Sequence, residues 1–237
     1  MKLDILAFGA HPDDVELSCS GTLYKFKKQG KRIGIIDLTK GELGTRGNEN
    51  TRKDEAERAA KILDLDAREN LDLGDGFFEV SKENKLRIVQ MLRKYRPEIV
   101  LANAVKDRHT DHGRGAELVK ESIFISGLTK VETELNGEKQ EPWRPKHLFN
   151  YIQFQYISPQ FIIDITNEWA VKEKSILAYE TQFYNPSSDE PKTLISSEMF
   201  LKLLEARARE FGAAIEVNYG EGFTTDKPLP YDFLSLL

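Results

Sequence analysis

Three of the four histidines in this 237-residue chain lie in two short stretches. The first reads Gly9-Ala10-His11-Pro12-Asp13-Asp14-Val15-Glu16, the second Lys106-Asp107-Arg108-His109-Thr110-Asp111-His112. An imidazole and a carboxylate three residues apart, as in His11 and Asp14, can converge on one cation if the turn between them is tight. Pro12 helps to fix that turn. His112 supplies a third ligand. Two histidines and one carboxylate leave coordination positions open for water and substrate, as a catalytic zinc site requires. With no thiolate in the set, iron(II), manganese or cobalt suit it too. Asp13 is then a spare carboxylate beside the cation, a natural general base. His109 and Asp111 form a second pair, in which a carboxylate-held imidazole stays protonated and can donate to an oxyanion or leaving group. Taken alone, His-Pro-Asp-Asp can be no more than a helix N-cap. The second stretch, at the matching end of another strand, favours the metal site.

Both stretches follow short apolar runs. Residues 3–8, 32–38, 69–73 and 99–102 read as strands, and 15–29, 51–63 and 82–95 as the helices between them, with Gly30 stopping the first helix. The loop over 39–50 is rich in glycine. This β-α-β-α-β-α-β order implies parallel strands joined by crossover helices: an α/β, Rossmann-like, mostly parallel sheet with helices on both faces. Ligands of such sheets bind beyond the carboxyl ends of the strands, so the useful residues should lie just after Phe8, Leu38, Leu73 and Ala102. The second half is less regular. A helix is expected over 112–125, an exposed loop or hairpin over 130–145, strands over 147–153 and 161–165, helices over 167–181 and 196–214, and a loop-like tail over 219–237. No repeat or linker-like break appears, so residues 1–237 are expected to form one domain.

Composition narrows the class further. Apolar residues make up 40% of the chain, charged residues 31%, and the net charge is −5. These values exclude collagen, a disordered tail and a membrane span, and the mild acidity argues against general nucleic-acid binding. A single cysteine, Cys19, allows no intrachain disulfide. It points to a reducing compartment, and a cytoplasmic protein is expected. Cys19 lies on an apolar helix side and reads as a core residue; His147, before an apolar strand, reads as structural.

The first stretch, followed by Gly21-Thr22-Leu23, resembles the signature of the LmbE-like (PIG-L) family of metal-dependent N-deacetylases. The loop Thr39-Lys40-Gly41-Glu42-Leu43-Gly44-Thr45-Arg46-Gly47, the stretch 107–112, and the segments 205–209 and 219–223 resemble the bacillithiol-biosynthesis (BshB-type) branch. The likeness spans nearly the whole chain. It implies hydrolysis of the acetamide of N-acetylglucosaminyl malate to glucosaminyl malate and acetate, with one Zn2+ (or Fe2+ or another divalent ion). It also implies a homo-oligomer, often a hexamer. In its terms His11, Asp14 and His112 hold the metal, Asp13 is the base, His109 stabilises the oxyanion and Asp111 orients His109. Arg46, Arg52 and Arg108 are candidates for binding the malate carboxylates. The Gly-rich loop and segment 130–145 are expected to shape the sugar pocket. Ser18 and Ser20 depart from the smaller residues expected before Gly21.

Two rival readings share the metal chemistry: an amidase of thiol S-conjugates, and a deacetylase of other N-acetylglucosamine compounds. A third is a non-catalytic nucleotide-binding Rossmann domain. That reading needs a GxGxxG turn after the first strand; here two carboxylates stand in the turn and would repel a pyrophosphate.

Overall fold

The structure is a computed structural model and describes residues 1–229. Its first half alternates strand and helix: β1 (Ile5–Gly9), α1 (Asp14–Lys28), β2 (Ile33–Asp37), α2 (Glu49–Ile62), β3 (Ala67–Asn70), α3 (Lys82–Tyr95) and β4 (Ile99–Ala102). Then follow α4 (Thr110–Ser126), the small strands β5 (Glu134–Leu135) and β6 (Glu138–Lys139), β7 (His147–Tyr151), β8 (Phe161–Asp164), α5 (Trp169–Leu177), α6 (Glu198–Ala214) and β9 (Gly220–Thr224). The main sheet has the order β3-β2-β1-β4-β7-β9-β8. Pairing is parallel from β3 to β7, and β9 runs antiparallel to both of its neighbours. The expected Rossmann-like architecture is present.

β1 shows why the fold takes this form. All five of its residues are buried, and its side chains alternate between two cores. Ile5 and Ala7 enter a cluster with Val15, Leu23 and Phe26 of α1. Leu6 and Phe8 enter a second cluster with Ile88 and Leu92 of α3 and Leu118 of α4. A strand covered on both faces reads as a continuous apolar run, and that run is what the sequence displays. Chain order reverses direction between β1 and β4, so their carboxyl ends open a crevice at the topological switch point.

Three expectations need correction. The tail is not loop-like from residue 219: Gly220–Thr224 is β9, inside the sheet. Its glycines, which read as loop, are packing residues. A Cβ on Gly220 would come within 2.6 Å of Ile162, and one on Gly222 within 2.8 Å of Phe211. The rest of that expected tail, from residue 230, lies outside the described residues. β3 begins at Ala67 rather than residue 69, because Ala67 and Arg68 already pair in register with Gly34 and Ile35 of β2. Segment 130–145 carries a hairpin, with Asn136 and Gly137 both at positive φ in its turn. It packs on α3 through Arg93, Gln90 and Gln140 and does not line the pocket described below.

Arg68 neutralises carboxylates beneath the crevice. Its guanidinium lies 2.5 Å from Glu16 and 2.8 Å from Asp37, both fully or nearly fully buried. Burial disfavours the charge on Arg68, yet Asp37 and Glu16 outweigh that and hold it protonated. Removing one partner of such a group leaves an uncompensated buried charge. Arg68→Met should therefore lower unfolding stability by about 3–5 kcal/mol in urea titration. A loss under about 1 kcal/mol would show that the carboxylates find other partners.

Candidate metal centre and substrate pocket

His11, Asp13 and Asp14 form the turn from β1 into α1, while Asp107, His109 and His112 lie between β4 and the first turn of α4. The crevice brings both groups together. Nε2 of His112 lies 3.1 Å from Asp14 Oδ1, and Nδ1 of His11 lies 3.6 Å from Asp14 Oδ2. Ring nitrogens of His11, His109 and His112 lie within 4.8 Å of one another. Each expected metal-binding imidazole is anchored through its other nitrogen: His11 Nε2 to Asp75 at 2.9 Å and His112 Nδ1 to Asp107 at 2.6 Å. Carboxylate–histidine pairs of this kind fix ring orientation and raise ligand basicity.

Asp14 is held from several sides. Its Oδ2 accepts from the His11 amide and from Asn103, each at 3.0 Å, and its Oδ1 accepts from Gln153 at 3.0 Å. His11 and His112 pull its carboxyl well below the usual range, although burial alone would raise it. Burial likewise opposes charge on His112, yet Asp14 and Asp107 draw its pKa up to about 9. Burial also opposes charge on His11, which Asp111, Asp14 and Asp75 raise in the same way. The crevice is thus a field that favours a cation. Two buried imidazoles and a carboxylate, with ring orientations set by further carboxylates, are a donor set that fits a divalent ion such as zinc or iron(II).

Asp13 stands apart from that donor set. It precedes α1 with φ 120°, a strained value for a residue with a side chain, of the kind that collects at functional sites. Its carboxylate lies 3.2 Å from Arg52, which also donates to the Pro12 carbonyl. Burial pushes the Asp13 carboxyl up to about 7, with Arg52 pulling the other way. A carboxyl poised near neutrality suits both taking and returning a proton.

Other expected roles change. Asp111 does not orient His109 through its side chain. Its carboxylate accepts from the Gly76 amide at 2.8 Å, binds Arg114 at 2.7 Å and lies 3.5 Å from His11. His109 is instead the N-cap of α4: its Nδ1 accepts from the Asp111 amide at 3.3 Å, which leaves Nε2 to carry the ring proton. Burial and the neighbouring His11 and His112 lower its pKa, which favours the neutral ring. Arg52 lines the pocket, is 4% exposed, and donates to Asp13 and the Pro12 carbonyl through one guanidinium nitrogen. Arg46 is buried against Ser188 and Glu190 and does not line the pocket. Arg108 remains at the pocket edge, its guanidinium 5.4 Å from the centre of the Phe154 ring.

The pocket is a cavity of about 660 Å³ that opens onto this cluster. The glycine-rich loop contributes Gly41, Leu43 and Gly44; a Cβ on Gly41, at φ +66°, would press on Arg52 at 3.0 Å. Sequence reasoning misses Asp75 and Gln153. Asp75 has a signal, since Gly74-Asp75-Gly76 follows the third strand at one of the expected positions. Gln153 has none: it reaches the site from the end of β7. Cys19 sits in the core, and His147 stacks on Phe149 away from the site.

Comparison with known proteins agrees with this geometry. Residues 6–123 match the family described as PIG-L, GlcNAc-PI de-N-acetylase. A solved structure, the conserved protein TT1542 from Thermus thermophilus, superposes with a TM-score of 0.86 at 34% identity, covering 97% of each chain. The diacetylchitobiose deacetylase of Thermococcus kodakarensis is 28% identical over 76% of this chain and 70% of its own. The 4-oxalmesaconate hydratase of Pseudomonas putida is 27% identical over 72% of this chain and 70% of its own. The chain belongs to the PIG-L (LmbE-like) deacetylase family.

Proposed function

We propose that the protein is a metal-dependent N-deacetylase of an N-acetylglucosaminyl conjugate, with N-acetylglucosaminyl malate as the substrate and zinc as the ion. The observation that carries this reading is the convergence of His11, Asp14 and His112 at the β1/β4 crevice, with a spare carboxylate, Asp13, beside them. The diacetylchitobiose deacetylase relative supports an N-acetylated sugar. Arg108 supports an anionic aglycone: it is exposed at the pocket edge, and its planar fork can meet a carboxylate in two parallel hydrogen bonds.

In this reading His11, Asp14 and His112 hold the ion. When bound, it supplies Lewis acidity to the amide carbonyl and makes a water acidic near neutral pH. Asp13 takes the proton from the attacking water and returns it to the leaving amine nitrogen, in keeping with a carboxyl poised near 7. Arg52 fixes the Asp13 carboxylate in place through the 3.2 Å contact. His109 donates from Nε2 to the oxygen that becomes negative in the tetrahedral intermediate. Asp75 and Asp107 hold the two imidazoles in register.

Amine and acetate release from N-acetylglucosaminyl malate is the direct test, and hydration of a double bond would release neither. Activity should vanish on chelation and return with zinc. Loss of activity that no divalent ion restores would sink the metal assignment. Asp13→Asn should reduce kcat by about 10²–10⁴-fold with metal content unchanged. A kcat near wild type would remove Asp13 as the base. Asp75→Asn and Asp107→Asn should each weaken zinc affinity by about 10–100-fold, read by competition with a chromogenic chelator. Unchanged affinity in both would mean that these carboxylates do not support the ligands.

A further inference from the structure

The pocket is lined by two chemically distinct sets of side chains. One is the carboxylates and histidines. The other is apolar: Phe200, Leu204 and Phe211 on α6, with Leu17, Ile152 and Ile195. This wall is firmly backed: Phe200 belongs to a buried cluster with Phe183 and Tyr179, against which Leu17, Ile195 and Leu204 pack. Phe200 also stacks between Phe183 and Phe154, nearly parallel to both, with centroids 6.1 and 6.4 Å away. Several polar lining residues are paired within the chain, and Glu210 is held 3.5 Å from Arg207. Lys172 and Glu221 pair at 2.6 Å, and Glu221 also accepts from the Gly21 and Thr22 amides. Gln182 donates to Arg46 and Thr181, and Arg207 to the carbonyls of Gln153 and Phe154.

A sugar hydroxyl or carboxylate laid on the side chains of Phe200, Leu204 and Phe211 would lose water and gain no partner from them, at a cost of about 1–3 kcal/mol per group. A hydrocarbon group would gain on the same surface. We infer that the α6 wall is a subsite for an apolar group carried by the amide substrate. The inference rests on the amide-cleaving reading for the word substrate, and widens the substrate class beyond N-acetylglucosaminyl malate to amide conjugates that carry a hydrocarbon group. The hydrocarbon can reach the wall from either side of the scissile bond, as a long acyl chain or as an apolar aglycone.

Four compounds separate these sources: methyl and octyl N-acetylglucosaminides, which differ in the aglycone, and N-acetyl and N-octanoyl glucosamine, which differ in the acyl chain. Binding is measured by calorimetry on the zinc-loaded protein, below the micelle-forming concentration, and amine release is measured in parallel. One octyl-length compound should bind at least about tenfold tighter than its short counterpart, with a negative heat-capacity change. The member of the set that does so names the source. Leu204→Gln, at a half-exposed position of α6 where a polar residue is tolerated, should shrink that ratio to about threefold or less. Equal binding within both pairs would overturn the subsite whatever the turnover. Tight octyl binding with no amine release from any compound would keep the subsite and sink the deacetylase reading.

Discussion

The constraint on which the rest depends is the crowding of carboxylates into one crevice. Asp13, Asp14, Asp75, Asp107 and Asp111 all reach the end of the sheet between β1 and β4, with Glu16 and Asp37 just beneath. Uncompensated, such a group could not stay ionised and buried. Each member is matched instead: Asp13 by Arg52, Asp14 by an amide, Asn103 and Gln153, Asp75 by His11 and the Leu43 amide, Asp107 by His112 and the Gln155 amide, and Asp111 by Arg114 and the Gly76 amide. What remains is a surplus of negative charge focused on two imidazoles. A divalent cation would fit this arrangement, and the interactions that build the crevice also orient the side chains that would hold it.

The fold spaces these groups by ordinary means. A parallel strand order places β1 and β4 side by side, and the loops that leave them in opposite senses must diverge around a gap. α1 begins at once after the Asp13 turn and is kinked at Cys19, where Ser20 back-bonds to the Glu16 carbonyl. The amides of Gly21 and Thr22, freed by that kink, are capped by Glu221 from β9. The strand that the sequence disguised as a loop therefore anchors the helix that carries Asp14.

What can be read from the residues alone follows from how local each signal is. His11, Asp13 and Asp14 announce themselves because they are neighbours in one turn, and the alternating cores of β1 appear as an apolar run. The roles that the sequence misassigns belong to long-range pairs. Arg46 carries the right charge for a carboxylate, but the 188–190 segment turns it to Glu190 inside this chain, away from the pocket. The spacing of His109 and Asp111 suggests a side-chain pair. Helix geometry instead aims the Asp111 amide at the imidazole, because an N-cap satisfies an otherwise unpaired donor of the first turn. Gln153 and Arg68 act only across the sheet, where no spacing rule reaches.

This division bears on specificity. The chemistry end of the pocket is built from strand ends and loops locked to them by buried hydrogen bonds, and a change there disturbs several partners at once. Much of the apolar lining lies on α6, at Phe200, Leu204 and Phe211, and apolar packing of this kind tolerates exchange among side chains of similar volume. Substrate preference can therefore shift by substitution on one helix while the carboxylate–imidazole cluster stays intact. A family whose relatives carry names as different as diacetylchitobiose deacetylase and 4-oxalmesaconate hydratase is consistent with a fixed carboxylate–imidazole crevice beside an exchangeable wall.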